Sequence, residues 1–121
     1  MLALGSAQDR WERHEPAAYT MTIHRSCECL PEMSGPVVVS VRDGAVVSRQ
    51  YVQSGAAVPA IYAEAFPAVE GLFALVDAAI RDGIEPIDPR YDAALGYPLR
   101  FSLGDPGTDA PLYTISQFTP Q

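Results

Sequence analysis

The sequence predicts an α+β domain of two layers. An antiparallel sheet of about six strands is covered by one long amphipathic helix, with a short helix at the N-terminus. Three observations carry this expectation. Period-two and β-branched stretches occur three times before residue 60 and three times after residue 84. Short turns separate them within each group, which implies antiparallel pairing. Between the groups, apolar residues recur at helical spacing, and a striped helix must bury its stripe against a sheet.

The first element is a polar helix at Gln8–Glu15, ended by Pro16 and carrying Trp11 as its one large apolar anchor. Residues 1–7 are small and apolar. Gly5-x-Ala7 looks like the end of a signal peptide cleaved before Gln8. They are read as a leader remnant or a disordered N-terminus, outside a single domain at 8–121.

Tyr19–Arg25 alternates, with Tyr19, Met21 and Ile23 facing the core and Thr20, Thr22 and His24 facing out. Residues 30–36 are a loop. Val37–Arg42 is a β-branched strand, Asp43-Gly44 a hairpin turn, and Ala45–Val52 the return strand. Val on both faces of this hairpin leaves its buried face open, and a bulge is one solution. Residues 54–59 form a linker.

Pro67 opens the long helix, whose stripe is Val69, Leu72, Phe73, Val76, Ala79 and Ile80, and Gly83 stops it. Residues 84–92 hold an edge strand, because Pro86 and Pro89 cannot donate to a ladder. Residues 93–98 are a turn. Leu99–Leu103 and Leu112–Phe118 are the last two strands, joined by a turn-rich loop.

The 121 residues suit one domain, and 48% hydrophobic with 19% charged residues is a globular balance. The net charge is −7, and all eight basic residues are Arg, scattered with no basic run. This argues against nucleic acid as a partner and against an anionic membrane surface. The longest mostly apolar run, Val69–Ile80, is broken by Glu70 and Asp77 and is too short to span a bilayer. A monomer without a cofactor is expected.

Cys27-Glu28-Cys29 is the most distinctive local feature. A disulfide between Cys27 and Cys29 points to an oxidising compartment. In a flat strand their Cα atoms lie about 6.6 Å apart, near the long limit for a bridge, so a bulge or turn is required. Zinc or copper held by His24, Cys27 and Cys29 is the sharper alternative, but it offers three ligands and His24 has the opposite parity. Two buried thiols are the plain alternative.

A hydrolase lacks its parts: there is no G-x-S-x-G and no motif beside His14 or His24. Asp88 with Asp92, and Asp105 with Asp109, read as loop charge; the second pair lacks the alternating calcium-loop pattern. An enzyme centred on Tyr91 and Asp92 is the weakest hypothesis, and it needs a pocket with a perturbed carboxylate.

One arrangement spans nearly the whole chain. Trp11 is followed by the Tyr19 strand, Cys27-x-Cys29, the Val37–Val47 hairpin, Gly55 and Val69-Glu70-Gly71-Leu72-Phe73. Then come Tyr91-Asp92-Ala93-Ala94-Leu95-Gly96-Tyr97-Pro98 and Tyr113-x-Ile115-x-x-Phe118. This resembles a family of small bacterial exported proteins and lipoproteins, the domain of unknown function 6174. The resemblance makes Tyr91, Asp92, Gly96, Tyr97 and Pro98 motif residues and implies an exported, envelope-associated domain with no assigned reaction. The leading expectation is therefore a non-catalytic envelope domain that binds a protein or cell-wall partner through a sheet face or loop. Exposed aromatics and Val on the open sheet face would favour it, and a uniformly polar face without a cleft would count against it. A thiol redox or metal-handling protein using Cys27 and Cys29 is the alternative.

Overall fold

The alternating stretch around Tyr19 becomes a central strand. The computed structural model describes residues 2–26, 31–83, 87–102 and 112–121. In chain order these form α1 (Leu2–His14), β1 (Ala18–Ser26), α2 (Pro31–Ser34), β2 (Val37–Arg42) and β3 (Ala45–Tyr51). A 3₁₀ helix (Ala60–Ala65), α3 (Val69–Arg81), β4 (Ile87–Tyr91), β5 (Pro98–Ser102) and β6 (Leu112–Pro120) follow. The strands make one antiparallel sheet in the order β3-β2-β1-β6-β5-β4. The two hairpin groups thus join through β1 and β6, the first strand and the last. β4 lies at an edge, as Pro89 within it requires.

No single long helix covers this sheet. The cover is shared by α1 and α3, 13 residues each. α3 buries the expected Val69, Leu72, Phe73, Val76 and Ala79. α1 starts at Leu2, ahead of the expected Gln8, and residues 2–7, expected outside the fold, form its first turns. Leu4, Ala7 and Trp11, three and four residues apart, place one helical stripe in the core. Further helical turns stand at Pro31–Ser34 and Ala60–Ala65, where a loop and no element were expected. No described helix is long and apolar enough to cross a membrane.

Two bulges decide which side chains face the helices. Ser40 pairs with Ser48 but Val41 pairs with Val46, so Val47 is the extra residue and stands exposed. This settles the hairpin's ambiguity: Val37, Val39 and Val41 are buried and Val46 packs against them. Asp43 (φ 52°) and Gly44 (φ 79°) both take left-handed backbone, the geometry of a type I′ turn. In β6, Thr20 opposes Thr119 while Thr22 opposes Ser116, and Gln117 has φ 52°. That bulge shifts parity, so Phe118 joins Tyr113 and Ile115 on the core side.

Candidate functional site

The motif residues Tyr91–Pro98 build a junction. Asp92 Oδ accepts hydrogen bonds from the backbone N–H of Ala94 (3.1 Å) and Leu95 (2.7 Å), an Asx turn. The Asp92 and Tyr97 backbones close the same turn at 2.9 Å. Gly96 has φ 89°, and a Cβ there would collide with the Ala7 carbonyl oxygen of α1. Tyr97 stacks on Phe118 (4.2 Å between centroids), which stacks on Tyr19 (5.0 Å). Trp11 meets Tyr19, Tyr97 and Phe118 edge-on. Tyr91 stacks on Phe73 of α3, and Pro98 is buried. The motif thus fits the β4–β5 turn against α1, and the Asp92 carboxylate serves that turn. Burial raises the pKa of both Tyr91 and Tyr97.

A second arrangement was hidden in the sequence. Glu15, just past α1, meets Glu70, in the first turn of α3. Trp11 Nε1 donates to Glu70 Oε2 at 2.8 Å, and the Val69 N–H donates to the Tyr19 hydroxyl at 3.1 Å. Glu15 hydrogen-bonds Glu70. Burial, that hydrogen bond and repulsion from Glu70 push the Glu15 pKa up to about 7. Burial also raises the Tyr19 pKa. Glu15 and Glu70 line two adjoining clefts. One, of about 180 Å³, has Trp11, Glu12 and Phe73 in its wall; the other, of about 380 Å³, has Pro16 and Asp43. Nothing in local spacing announces this pair, because neither Glu sits in a motif and only the docking of α1 on α3 unites them.

The sheet face away from the helices is the third candidate, and register orders it into rows. Arg90 opposes Arg100, Arg100 opposes Thr114, and Thr114 opposes His24, across four adjacent strands. All four side chains are exposed. The next row is Ser116, Thr22, Val38 and Gln50; beyond it lie Thr119, Thr20, Ser40 and Ser48. Arg42, opposite Ala18, ends the face. Among the described residues no aromatic lies on these rows. Val38 is half-buried and Val52, just past β3, is exposed. The apolar patch that would favour protein docking is therefore absent from these rows, which carry hydroxyls, an amide, arginines and a histidine around the one half-buried Val38.

Every described carboxylate side chain lies in a helix, turn or connection, so the ionisable side chains described on the strands are Arg, His and Tyr. Two arginines face the core side instead. Arg25 donates to the Met33 carbonyl (2.8 Å) and sits over the Tyr113 ring, and Arg49 donates to the Phe66 carbonyl (2.6 Å).

Cys27, Cys29, Asp105, Asp109 and the Asp88 side chain lie outside the described residues. His24 is exposed on the open face. Among the described residues no three His, Cys, Asp or Glu side chains are grouped to hold a metal.

Fold and junction together define a mixed helix-and-sheet domain with a six-stranded antiparallel sheet. The model of a family of unknown function, DUF6174, matches residues 3–120, and the chain belongs to that family. No curated protein and no solved structure matches the chain.

Proposed function

We propose that the chain is a non-catalytic binding domain of the bacterial cell envelope, exported and monomeric, whose contact surface is the open face of the sheet. One observation carries the reading: a six-stranded sheet is covered by helices on one side and presents ordered rows of polar side chains, exposed or half-buried, on the other. Antiparallel sheets commonly pack one face on the core and leave the other to solvent. On that second face β1 presents Thr20, Thr22 and His24. Hydroxyls at fixed cross-strand spacing, about 4.5–5.5 Å, suit hydrogen bonding to a polar, repeating partner such as a cell-wall polymer. So polar a face counts against the expected protein partner with an apolar hot spot, and the reading narrows to a polar partner.

The test is co-sedimentation of the purified protein with bacterial cell-wall preparations. Thr22→Glu with Ser116→Glu places charge and bulk in the middle of the face. Glu12→Gln, on the helix side, is the control. Retention of the wild type and of Glu12→Gln, with loss in the double variant, supports the reading. Equal retention of all three, or retention of none, refutes it.

A further inference from the structure

We propose that α1 is a pH-released cover. It lies docked while Glu15 and Glu70 share a proton, and it opens as a unit, with the sheet intact, once both are charged.

The proposal is independent of the binding-domain reading, which its failure would leave standing. It starts from how α1 is held. Among the described residues, no backbone hydrogen bond ties Leu2–His14 to the rest of the chain. The side-chain hydrogen bonds both end on one group. Trp11 Nε1 donates to Glu70 Oε2 at 2.8 Å, and Glu15, just past the helix, hydrogen-bonds the same side chain. The rest of the docking is apolar, through Leu4, Ala7 and Trp11. α1 lies outside the sheet, so its release breaks no strand pairing, and Pro16 and Ala17 lead from it into β1.

Two carboxyl groups in hydrogen-bond contact repel when both are ionised, so one of them keeps a proton. Two features put that proton on Glu15. Glu70 stands in the first turn of α3, where the helix dipole favours a negative charge. It also accepts the indole N–H, which favours its charged form again. The other groups around Glu15 add no compensation. Glu12 of α1 and Asp43 of the β2–β3 turn line the clefts that Glu15 borders, and Tyr19 of β1 keeps an uncharged hydroxyl nearby. Among the described residues no Arg or His lines either cleft, and His14, next in the chain, is exposed. A second charge on the pair therefore meets only acids. Opening of α1 parts the two carboxylates and returns Glu15 to water, which makes a local opening of this helix the event that the charge favours.

The experiment is hydrogen–deuterium exchange of the backbone amides from pH 5.5 to 8.5, corrected for intrinsic exchange. It uses protein carrying His14→Asn and His24→Asn, with and without Glu15→Gln, each checked for folding by its thermal transition. Expected is protection of the α1 amides about tenfold or more below that of the β1 amides, the mark of a helix that opens while the sheet stays closed. That protection falls about fivefold across the interval, a figure reduced by solvent screening in the open clefts. Glu15→Gln removes the fall. Equal protection of α1 and β1 overturns the proposal, because the helix then leaves only when the whole domain unfolds. Protection of α1 that is level with pH overturns it as well, and neither of these two readings needs the variant. The same fall in Glu15→Gln also overturns it, since another group then drives the opening.

Discussion

Glu15 makes the stability of this protein depend on pH in an unusual direction. Its carboxyl ionises near 4.5 in an unfolded chain and near 7 in the folded one. A raised folded-state pKa means that the native state binds a proton more tightly than the unfolded state does. Between these two values the native state therefore holds more protons, and stability falls as pH rises. The contribution is fully present below about pH 4.5 and is lost as pH climbs through 7. At 1.36 kcal/mol per pH unit, the whole interval corresponds to about 3 kcal/mol before screening. Glu15 borders open clefts, so solvent screening reduces the effect to about 1 kcal/mol. That is roughly 3–5 °C in melting temperature for a domain of this size.

Trp11 is the only tryptophan and donates to Glu70 at 2.8 Å, so its fluorescence reports on the pair. Thermal unfolding and Trp11 emission are followed from pH 5 to 8.5 in the wild type and in Glu15→Gln, which keeps a hydrogen-bond donor but cannot ionise. Histidine titrates in the same interval. Both proteins therefore also carry His14→Asn and His24→Asn. The expected result is equal stability near pH 5 and a wild type about 1 kcal/mol less stable near pH 8, once screening is included. The wild-type emission should titrate near pH 7, and the variant's should not. Parallel stability curves together with a flat wild-type emission would refute the proton-sharing pair.

Three further outcomes follow from the packing. Gly96→Ala forces a side chain into left-handed backbone at about 1–2 kcal/mol and drives Cβ into the Ala7 carbonyl, so chemical denaturation should show a loss above that figure. Leu4→Ala should cost about 2–5 kcal/mol in the same assay, because Leu4 is a core residue of α1; a surface-like loss below 0.5 kcal/mol would contradict that packing. Asp43→Val places a β-branched residue at φ 52° and should destabilise the hairpin by about 1–2 kcal/mol, whereas Asp43→Asn should be nearly neutral.

Where one short-range rule dominated, the fold was legible. Alternation placed Tyr19, Met21 and Ile23 in the core, Asp43-Gly44 marked the type I′ turn, and the Val69–Ile80 stripe marked α3. Misreadings arose where two patterns competed. Leu4, Ala7 and Trp11 already had helical spacing, but the small apolar composition of residues 1–7 also fits a leader, and that reading cut α1 at Gln8. Tyr113, Ile115 and Phe118 carry a break in parity, two steps and then three, which is the trace of the β6 bulge. The β1–β6 pairing and the Glu15–Glu70 contact had no local trace at all. Each is closed by packing between segments far apart in the chain, and no period or turn residue encodes such closure. The motif segment was read from the resemblance alone, with Asp92 as loop charge, and its carboxylate accepts the Ala94 and Leu95 N–H groups of the β4–β5 turn.

The crowding of Glu15 and Glu70 is the least expected property of the described residues. Mixing signs over a surface lowers repulsion. Here two carboxylates meet where α1 docks on α3, until one holds a proton near neutral pH. That arrangement opposes folding once the proton is lost, and an amide in place of Glu15 would ease it. The arginines of the core side illustrate the contrast, since Arg25 and Arg49 are tied to the Met33 and Phe66 carbonyls and serve packing. The carboxylate pair instead makes the contact between the two helices weaken as pH climbs through 7.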